Sequence, residues 1–311
     1  MKVFLTGATG AIGPATVRGL VAAGHDVRAV ARNDEKAALV KQLGAEPVAV
    51  DLFDPDGVRT AVAGSEGVLH LATNVPAVKR AARMSAWAKH NQLRTTATDY
   101  LVQAARAADA RVLVKESVEF VYPDRGDEWI DEDVPADKTV AMLQPTLEGE
   151  RIALGFAGDG RTTAVLRFGL FYGPHARGTD DLLRMARWRL STVAGSPGAY
   201  MSSVNVDDVA TAALAALSAP TGVYNVSDDE PLTRREYLDA FSAAFGLRKL
   251  RIGPSWLMRL VAGKASRVVT ASQRCRNERF RRATGWAPKY PSAREGWAAA
   301  AAVRMKENTH A

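Results

Sequence analysis

Short, almost uninterrupted apolar runs alternate with longer segments of helical periodicity through the first half of the chain. Six such runs occupy residues 3–6 (VFLT), 27–31 (VRAVA), 47–50 (PVAV), 68–72 (VLHLA), 111–116 (RVLVKE) and 163–168 (TAVLRF), and another follows at 222–227 (GVYNVS). Strands without polar alternation are typical of parallel sheets whose two faces are both covered by helices. The pattern therefore predicts an α/β fold with a Rossmann-like, doubly wound parallel sheet.

Capping residues predict where two of the intervening helices begin and end. Asn33 can cap a helix that ends at Gly44, because a short polar side chain satisfies the free N–H groups of a first turn. Asp54 followed by Pro55 can open another helix, which ends at Gly64. Helices of this length between strands are the crossovers that a parallel sheet requires.

The alternation weakens after about residue 173. Thr179 is predicted to cap a helix, and Thr233 with Glu236 fits a capping box. An arginine-rich helical unit completes the chain. We therefore expect two interleaved domains, a sheet domain of 1–173 with 204–227 and a small C-terminal domain of 174–203 with 228–305.

Positive charge is concentrated in the C-terminal part of this 311-residue chain, whose net charge is +7. Residues 248–290 contain twelve Lys or Arg against one acidic residue, Glu278. The excess favours an anionic small-molecule partner, although a solvated basic face would have the same composition. Nucleic acid is not expected, because no recognition motif accompanies the charge. The acidic loop 126–135, around Trp129, is expected to be a solvated lid.

The cysteine and histidine content indicates a reducing compartment and no metal site. Cys275 is the single cysteine and cannot form an internal disulfide. The histidines lack the spacing of metal ligands.

The first residues, MKVFLTG, leave no room for a secretion signal. Residues 209–227 carry no charge, but Pro220 and Gly222 interrupt this stretch, so it is not expected to span a membrane. We therefore expect a cytoplasmic protein without a membrane partner.

The segment TGATGAIG, residues 6–13, follows the first strand and opens a helix. Gly7 permits a tight turn, Gly10 lets the backbone approach a pyrophosphate, and Gly13 allows close packing of the helix. The free N–H groups and the dipole of the helix N-terminus favour the same anion. The segment therefore predicts a dinucleotide-binding site. The other turn residues expected to contact the dinucleotide are Thr9, Ala11 and Ile12.

The end of the second strand indicates which nicotinamide cofactor binds. A carboxylate there bonds the adenosine ribose and repels a 2′-phosphate, whereas this chain has Ala31 and then Arg32. Because arginine can pair with the phosphate, NADP(H) is favoured and NAD(H) is the alternative. The turns after the third and fourth strands are expected to supply further cofactor contacts, from Asp51, Leu52, Leu71, Ala72 and Thr73.

Five segments taken in order, TGATGAIG, VAVDLFD, HLAT, LRFGLFYGP and VNVDDVA, resemble the extended short-chain dehydrogenase/reductase family, the NAD-dependent epimerase/dehydratase group. The resemblance covers nearly the whole chain. It implies a Rossmann domain with a small C-terminal substrate domain and a possible homodimer built on the helices that flank the fourth and fifth strands. Members of the family act mostly on nucleotide sugars and on other alcohols and ketones.

The chain departs from this family at its catalytic positions. In the family, a serine ends the fifth strand, a tyrosine transfers the proton, and a lysine lowers the tyrosine pKa and holds the nicotinamide ribose. Counting back from Glu150 places Met142 at the tyrosine position and Thr146 at the lysine position, beside the cofactor. The serine corresponds to Ser117, or to Val118 in the alternative register.

Three functions are compatible with this departure. The favoured one is an NADP(H)-dependent oxidoreductase, of reductase, dehydrogenase or epimerase type, acting on a small or nucleotide-linked carbonyl or hydroxyl compound. Its proton donor is then relocated, with Ser117, Tyr122 and Tyr172 as the first candidates and Glu116, Glu119 and His175 as others. The alternatives are a non-catalytic dinucleotide-binding sensor and a non-redox lyase or isomerase on the same fold.

Overall fold

Seven parallel strands form the central sheet of the computed structural model, which describes residues 1–76, 83–136, 140–263 and 266–310. Their bounds are β1 Lys2–Thr6, β2 Asp26–Val30, β3 Glu46–Val48, β4 Gly67–His70, β5 Val112–Val118, β7 Thr162–Phe168 and β12 Gly222–Val226. The order across the sheet is β12-β7-β5-β4-β1-β2-β3. The chain thus proceeds in one direction from β1 to β3 and then returns to the other side of β1, which confirms the predicted doubly wound sheet.

Helices cover both faces of this sheet. Their bounds are α1 Gly13–Ala22, α2 Asp34–Gln42, α3 Pro55–Val62, α4 Ala88–Arg94, α5 Thr96–Ala107, α6 Gln144–Leu154, α7 Arg177–Ala186, α8 Val206–Ala215, α9 Arg234–Ala244, α10 Ser255–Ala262, α11 Ser266–Thr270, α12 Glu278–Thr284 and α13 Ala293–His310. Successive residues of a strand point to opposite faces. Val3 and Leu5 accordingly pack with α1 and α8, while Phe4 packs with α3 and α5 on the other side.

The helix starts predicted from capping residues are confirmed at three positions. The Asn33 side chain accepts a hydrogen bond from the first turn of α2, and the Asp54 side chain accepts one from the first turn of α3. Thr233 and Glu236 form the predicted capping box of α9. These agreements follow because a cap depends on residues that are only two or three positions apart.

The cap predicted at Thr179 is wrong. Helix α7 begins at Arg177, after Ala176, so that Thr179 lies inside the first turn. Its hydroxyl donates a hydrogen bond of 2.7 Å to the carbonyl oxygen of Gly173. The preceding turn therefore uses this side chain, and the helix begins three residues earlier than the sequence indicates.

Shorter strands and the last helices form a second apolar core. The strands are β6 Trp129–Ile130, β8 Leu170–Tyr172, β9 Leu190–Ala194, β10 Tyr200–Met201, β11 Ser203–Asn205, β13 Leu232–Thr233, β14 Arg251–Gly253 and β15 Arg274–Cys275. Trp297 of α13 is fully buried in this core against Tyr172, Tyr237 and Phe241. The core is built from the segments expected for the C-terminal domain, whose exact boundaries stay a prediction.

The acidic loop 126–135 is largely exposed, as its composition suggests, but it is attached to the C-terminal stretch. Strand β6 pairs with β15, and Ile130 is fully buried. The guanidinium of Arg274 lies 4.0 Å from the centroid of the Trp129 ring, and Arg279 approaches Glu132 at 3.3 Å. Part of the basic C-terminal stretch therefore serves to hold this loop in place.

Helices α5 and α6 pack against each other beside β4 and β5. They are the helices through which the family resemblance implies a homodimer, and that assembly stays a prediction. Across the described ranges, no helix combines the length and the apolar character needed to cross a membrane.

Candidate active site

A cavity of about 590 Å³ opens along the carboxyl ends of strands β1 to β5. Its walls come from the glycine turn after β1 and from the segments that follow β2, β3 and β4. Glu116, two residues before the end of β5, and Phe171 of β8 complete it. A cleft at this edge of a parallel sheet, where the strand order reverses, is the usual ligand site of such a fold.

The glycine turn is shaped to bring a ligand close to the backbone. Gly7 has φ +85°, and a Cβ on it would lie 2.6 Å from the carbonyl carbon of Leu71. A Cβ on Gly13 would collide with the backbone of Ala8, whereas one on Gly10 would have only the carbonyl oxygen of Gly7 nearby, at 3.3 Å. Gly10 instead faces the cavity.

The N-terminus of α1 points to an anionic ligand. Its N-cap, Ile12, forms no side-chain hydrogen bond to the helix, so the first N–H groups receive no side-chain cap. Thr9, Ala11 and Ile12 line the cavity, and their contact with a dinucleotide stays a prediction. Free N–H groups and the helix dipole together suit a phosphate or pyrophosphate. The residues present therefore fit a dinucleotide.

The end of the cavity beyond β2 and β3 carries two cationic side chains. Arg32 and Lys36 both line it, together with Asp51 and Leu52. The Asn33 side chain accepts a hydrogen bond of 3.0 Å from the Lys36 backbone N–H, which holds Lys36 in the first turn of α2. Within the described ranges neither cation forms an ion pair. Lys36 was not predicted, although it lies in the first turn of the helix that Asn33 was expected to cap and so close to Arg32 in the chain.

The opposite end of the cavity lies beyond β4 and β5. Leu71, Ala72 and Thr73, which were expected to contact the cofactor, line the cavity. The Ala72 N–H donates a hydrogen bond of 3.3 Å to the Thr6 hydroxyl. Further lining residues were not assigned to the cofactor by the sequence analysis: Asn74, Lys89, Leu93, Glu116 and Phe171. Asn74 directly follows the predicted Thr73, whereas Lys89, Leu93 and Phe171 come from segments without a local cofactor signal.

A buried ion pair forms the wall at this end. The Glu116 carboxylate lies 2.5 Å from a guanidinium nitrogen of Arg94, and Arg94 also donates a 2.7 Å hydrogen bond to the Glu116 carbonyl oxygen. The ammonium of Lys115 donates to the same carbonyl at 2.8 Å. Burial lowers the pKa of Lys115 to about 7, and burial beside Arg94 lowers that of His90 to about 3. Glu116 is therefore held as a partner of Arg94.

A second buried network holds two of the proposed proton donors away from the cavity wall. The Ser117 hydroxyl donates to Glu150, whose carboxylate pairs with Arg167 at 2.6 Å. The Tyr122 hydroxyl donates a 2.8 Å hydrogen bond to Asn225, and the Arg167 guanidinium lies 4.9 Å from its ring centroid. Burial raises the pKa of Tyr122. Neither Ser117 nor Tyr122 is among the residues that line the cavity.

Tyr172 lies in a different part of the structure from these two. It is buried in the C-terminal core, and its hydroxyl donates a 3.3 Å hydrogen bond to the carbonyl oxygen of Ser292. Burial and the nearby Asp228 raise its pKa. The structure thus does not bring Ser117, Tyr122 and Tyr172 together at one point, and their catalytic role stays a prediction.

Met142 and Thr146 lie at the start of α6. Met142, in a 3₁₀ turn just before the helix, is half-buried in an apolar cluster, and Thr146 is buried. Neither residue lines the cavity, so a contact between Thr146 and the cofactor stays a prediction. The other half-buried members of this cluster are Val118, Phe120, Val134, Val140, Leu147 and Val268. The place that the family resemblance assigns to the tyrosine and lysine therefore presents an apolar surface.

The remaining candidates for a proton donor are placed very differently. Glu119 is fully buried beside Cys275 and Ser227, and burial raises its pKa to about 8. His175 is exposed and lies 3.2 Å from Glu307. Neither residue lines the cavity. In the described part of the chain, no group of three His, Cys, Asp or Glu side chains is arranged to hold a metal ion.

The sequence matches the model of the NAD-dependent epimerase/dehydratase family over residues 3–227. A 3-diazoavenalumate denitrifying reductase from a Streptomyces species is 34% identical over 309 residues, which cover 95% of this chain and 99% of the relative. A 4-hydroxy-2-methyl-3-oxo-4-farnesyl-3,4-dihydroquinoline-1-oxide ketoreductase from Stigmatella aurantiaca is 30% identical over 258 residues, which cover 80% of this chain and 74% of that relative.

The fold is also similar to that of a human epimerase family protein crystallised with NADPH. The two structures superpose with a TM-score of 0.83 at 23% identity, over 97% of this chain and 99% of the human one. At this identity the similarity concerns the fold.

Proposed function

The chain belongs to the NAD-dependent epimerase/dehydratase family as an oxidoreductase that uses a pyridine nucleotide, and on this premise we propose that it is an NADPH-dependent reductase of a small, largely apolar substrate. The observation that carries the proposal is the cavity itself. It runs from Arg32 and Lys36 past the glycine turn to Glu116 and Phe171. A dinucleotide laid along it has its pyrophosphate at α1 and its nicotinamide beyond β4.

Two observations support NADPH rather than NADH. Arg32 and Lys36 face the end of the cavity where the adenosine lies, and no described acidic residue pairs with either of them. Asp51, the acidic residue nearby, caps its own turn by accepting a 3.1 Å hydrogen bond from the Phe53 N–H. Two cations and a helix N-terminus favour a 2′-phosphate.

Apolar side chains in the cavity lining support a substrate that is mainly apolar. Leu93 and Phe171 line the cavity, so a ligand ring or alkyl chain can pack against them. The two reductase relatives carry names of aromatic or farnesylated substrates, and neither name is that of a nucleotide sugar. A nucleotide-linked substrate is therefore the less favoured choice.

The absence of a tyrosine at position 142 supports a hydride acceptor that needs no acid. Bound NADPH supplies the hydride. An aryl diazonium group, Ar–N₂⁺, accepts hydride at its terminal nitrogen to give Ar–N=NH, which releases N₂ as its hydrogen passes to the ring carbon. The substrate becomes Ar–H, the two electrons arrive with the hydride, and no proton is consumed. The name of the Streptomyces relative, a diazo-directed denitrifying reductase, agrees with this chemistry.

A ketone is the second candidate acceptor, favoured by the name of the Stigmatella relative. The alkoxide that forms from a ketone needs a proton. Tyr122, Ser117 or Tyr172 would then have to reach the substrate after a rearrangement, because their hydroxyls are engaged within the fold.

The test uses NADPH with deuterium at both C4 positions, together with an aryl diazonium salt or the matching aryl methyl ketone. The proposal expects NADPH oxidation above the protein-free rate. The diazonium salt should give one N₂ and one arene for each NADPH oxidised, and the ketone should give an alcohol with deuterium on its carbinol carbon. Tight NADPH binding without oxidation of any acceptor would contradict the reductase and favour the sensor. A product formed without oxidation of NADPH would favour the lyase or isomerase.

A further inference from the structure

We propose that Lys89 binds a carboxylate on the substrate, so that the enzyme acts on an aryl or alkyl carboxylate. The proposal deepens the function above and rests on it. Lys89 lines the cavity, and its side chain is exposed. It lies in the first turn of α4, far along the chain from the basic C-terminal stretch in which the sequence placed the anionic partner.

The position of α4 puts Lys89 at the nicotinamide end of the cavity. Helix α4 packs on α6, and the carbonyl oxygen of Arg94 is so close to Gly149 of α6 that a Cβ there would collide with it. Leu93 and Glu116, which line the same end, are neighbours of Arg94 in the chain and in space. Lys89 therefore faces the part of the cavity beyond β4 and β5.

The charges at this end leave Lys89 as an unpaired cation. Arg94 is neutralised by Glu116, and Lys115 is fully buried with its ammonium on the Glu116 carbonyl oxygen. Over the described residues, Lys89 takes part in no ion pair. An exposed ammonium in a concave site attracts an anion, and the effect is stronger where a bound ligand excludes water.

The residues proposed to bind the cofactor phosphates lie elsewhere in the cavity. The pyrophosphate belongs at the N-terminus of α1 over β1, and a 2′-phosphate belongs with Arg32 and Lys36 beyond β2. The helix that carries Lys89 contacts the end of β4, where a ring nitrogen of His70 lies 3.0 Å from the Leu93 carbonyl oxygen, and β4 lies on the opposite side of β1 from β2. The anion that reaches Lys89 is therefore on the substrate.

The lining of the cavity indicates the rest of that substrate. Leu93 and Phe171 contribute apolar side chains to it, and Thr73 and Asn74 contribute hydroxyl and amide groups. A few polar groups in an apolar site orient a ligand that has one charged end and one apolar body. A carboxylate attached to an aromatic ring or alkyl chain matches this arrangement.

The test measures binding to the complex of the enzyme with NADP⁺, using 4-hydroxycinnamate and its neutral amide, 4-hydroxycinnamamide, as probes. We expect the parent protein to bind the carboxylate about tenfold more tightly, as a charge-assisted hydrogen bond provides. Lys89→Gln should abolish the preference, and Lys89→Arg should retain most of it. Lys41→Gln, which removes an exposed lysine outside the cavity, should leave it unchanged.

NADP⁺ affinity, measured on the same variants, separates the two proposals. Equal binding of carboxylate and amide by the parent protein overturns the role of Lys89. A weaker affinity of Lys89→Gln for NADP⁺, with the carboxylate preference intact, overturns it as well and assigns the lysine to the pyrophosphate. If the parent protein does not bind NADP⁺ at all, the cofactor assignment fails and the inference about Lys89 fails with it.

Discussion

The guanidinium of Arg94 and the carboxylate of Glu116 form an ion pair at 2.5 Å, and both side chains are almost fully buried. Removing one member of a buried pair leaves the other charge without compensation, which costs about 3–5 kcal/mol. We expect Arg94→Leu to lower the free energy of unfolding by this amount in urea denaturation. Replacing both residues, in Arg94→Leu with Glu116→Leu, should recover most of the loss.

The matched control for this pair is exposed. Arg59 approaches Asp56 at 3.0 Å on the surface of α3, where both side chains are mostly exposed. Arg59→Leu should change the free energy of unfolding by less than about 1 kcal/mol, because water screens the pair. Equal losses for Arg94→Leu and Arg59→Leu would contradict the expected cost of leaving the buried Glu116 carboxylate without a partner.

Arg32 and Lys36 should determine the preference for NADPH over NADH. A phosphate–arginine pair contributes about 1.5–3 kcal/mol, so the parent protein should bind NADPH at least about tenfold more tightly. Changing both residues to glutamine should remove the preference without weakening NADH binding. Calorimetric titration of both nucleotides measures it, and equal affinities in the parent protein would rule out the proposed 2′-phosphate site.

Glu119 should make stability fall as pH rises. Its pKa is raised from an ordinary value of 4.5 to about 8, first by burial and further by Glu132. The neutral form is thus favoured in the folded state. The contribution of neutral Glu119 to the free energy of unfolding is complete below about pH 4.5 and is lost as pH rises through about 8. The free energy of unfolding of Glu119→Gln, relative to that of the parent protein, should therefore be higher at pH 9 than at pH 5.

Urea denaturation at pH 5, 7 and 9 measures this difference. Glu148→Gln is the control, because Glu148 is largely solvated and pairs with Arg151 on the surface of α6. Its difference from the parent protein should stay nearly constant over the same range. A pH-independent difference for Glu119→Gln would contradict the raised pKa.

The start of α6 should have little influence on proton transfer. Met142→Ala is expected to change turnover only modestly, since a methionine side chain can neither donate nor accept a proton. If a ketone is the substrate, removal of the true donor should cost about 10² to 10⁴ in rate, and Tyr122→Phe, Ser117→Ala and Tyr172→Phe are the variants to compare.

The same variants distinguish the two acceptors. With an aryl diazonium substrate, all three should retain turnover within a few fold of the parent protein, because hydride transfer to nitrogen requires no acid. If none of them slows a ketone that the parent protein reduces, the hypothesis of a relocated proton donor is wrong. The free energy of unfolding of each variant shows whether a loss of rate reflects a loss of fold.

The part of the cavity at the ends of β1, β2 and β3 could be predicted because its residues follow the strands closely in the chain. Once the apolar runs are recognised, Gly7, Arg32 and Asp51 fall at the carboxyl ends of β1, β2 and β3, and parallel strands bring these ends to one edge. Lys36 was missed, but its position depends on the local geometry of a capped helix and could have been foreseen.

The end of the cavity beyond β4 and β5 could not be predicted in this way. Lys89 and Glu116 enter the cavity from separate segments, and Arg94 finds Glu116 across 22 positions of sequence. Tyr122 pairs with Asn225 across 103 positions, which no nearby residue announces. Whether a polar side chain faces the cavity or a buried partner depends on which helix packs against which strand.

The sequence by itself determined the strands, the glycine turn and most helix starts, because these depend on backbone conformation and on side chains a few residues apart. Counting from Glu150 places Met142 and Thr146 at the family's tyrosine and lysine positions, and this alignment stays a prediction. Only the tertiary structure decided that Ser117, Tyr122 and Tyr172 are hydrogen-bonded inside the fold and that Lys89 faces the cavity. The physical reason is that burial forces each polar group to find a partner, and that partner is chosen by packing between distant segments.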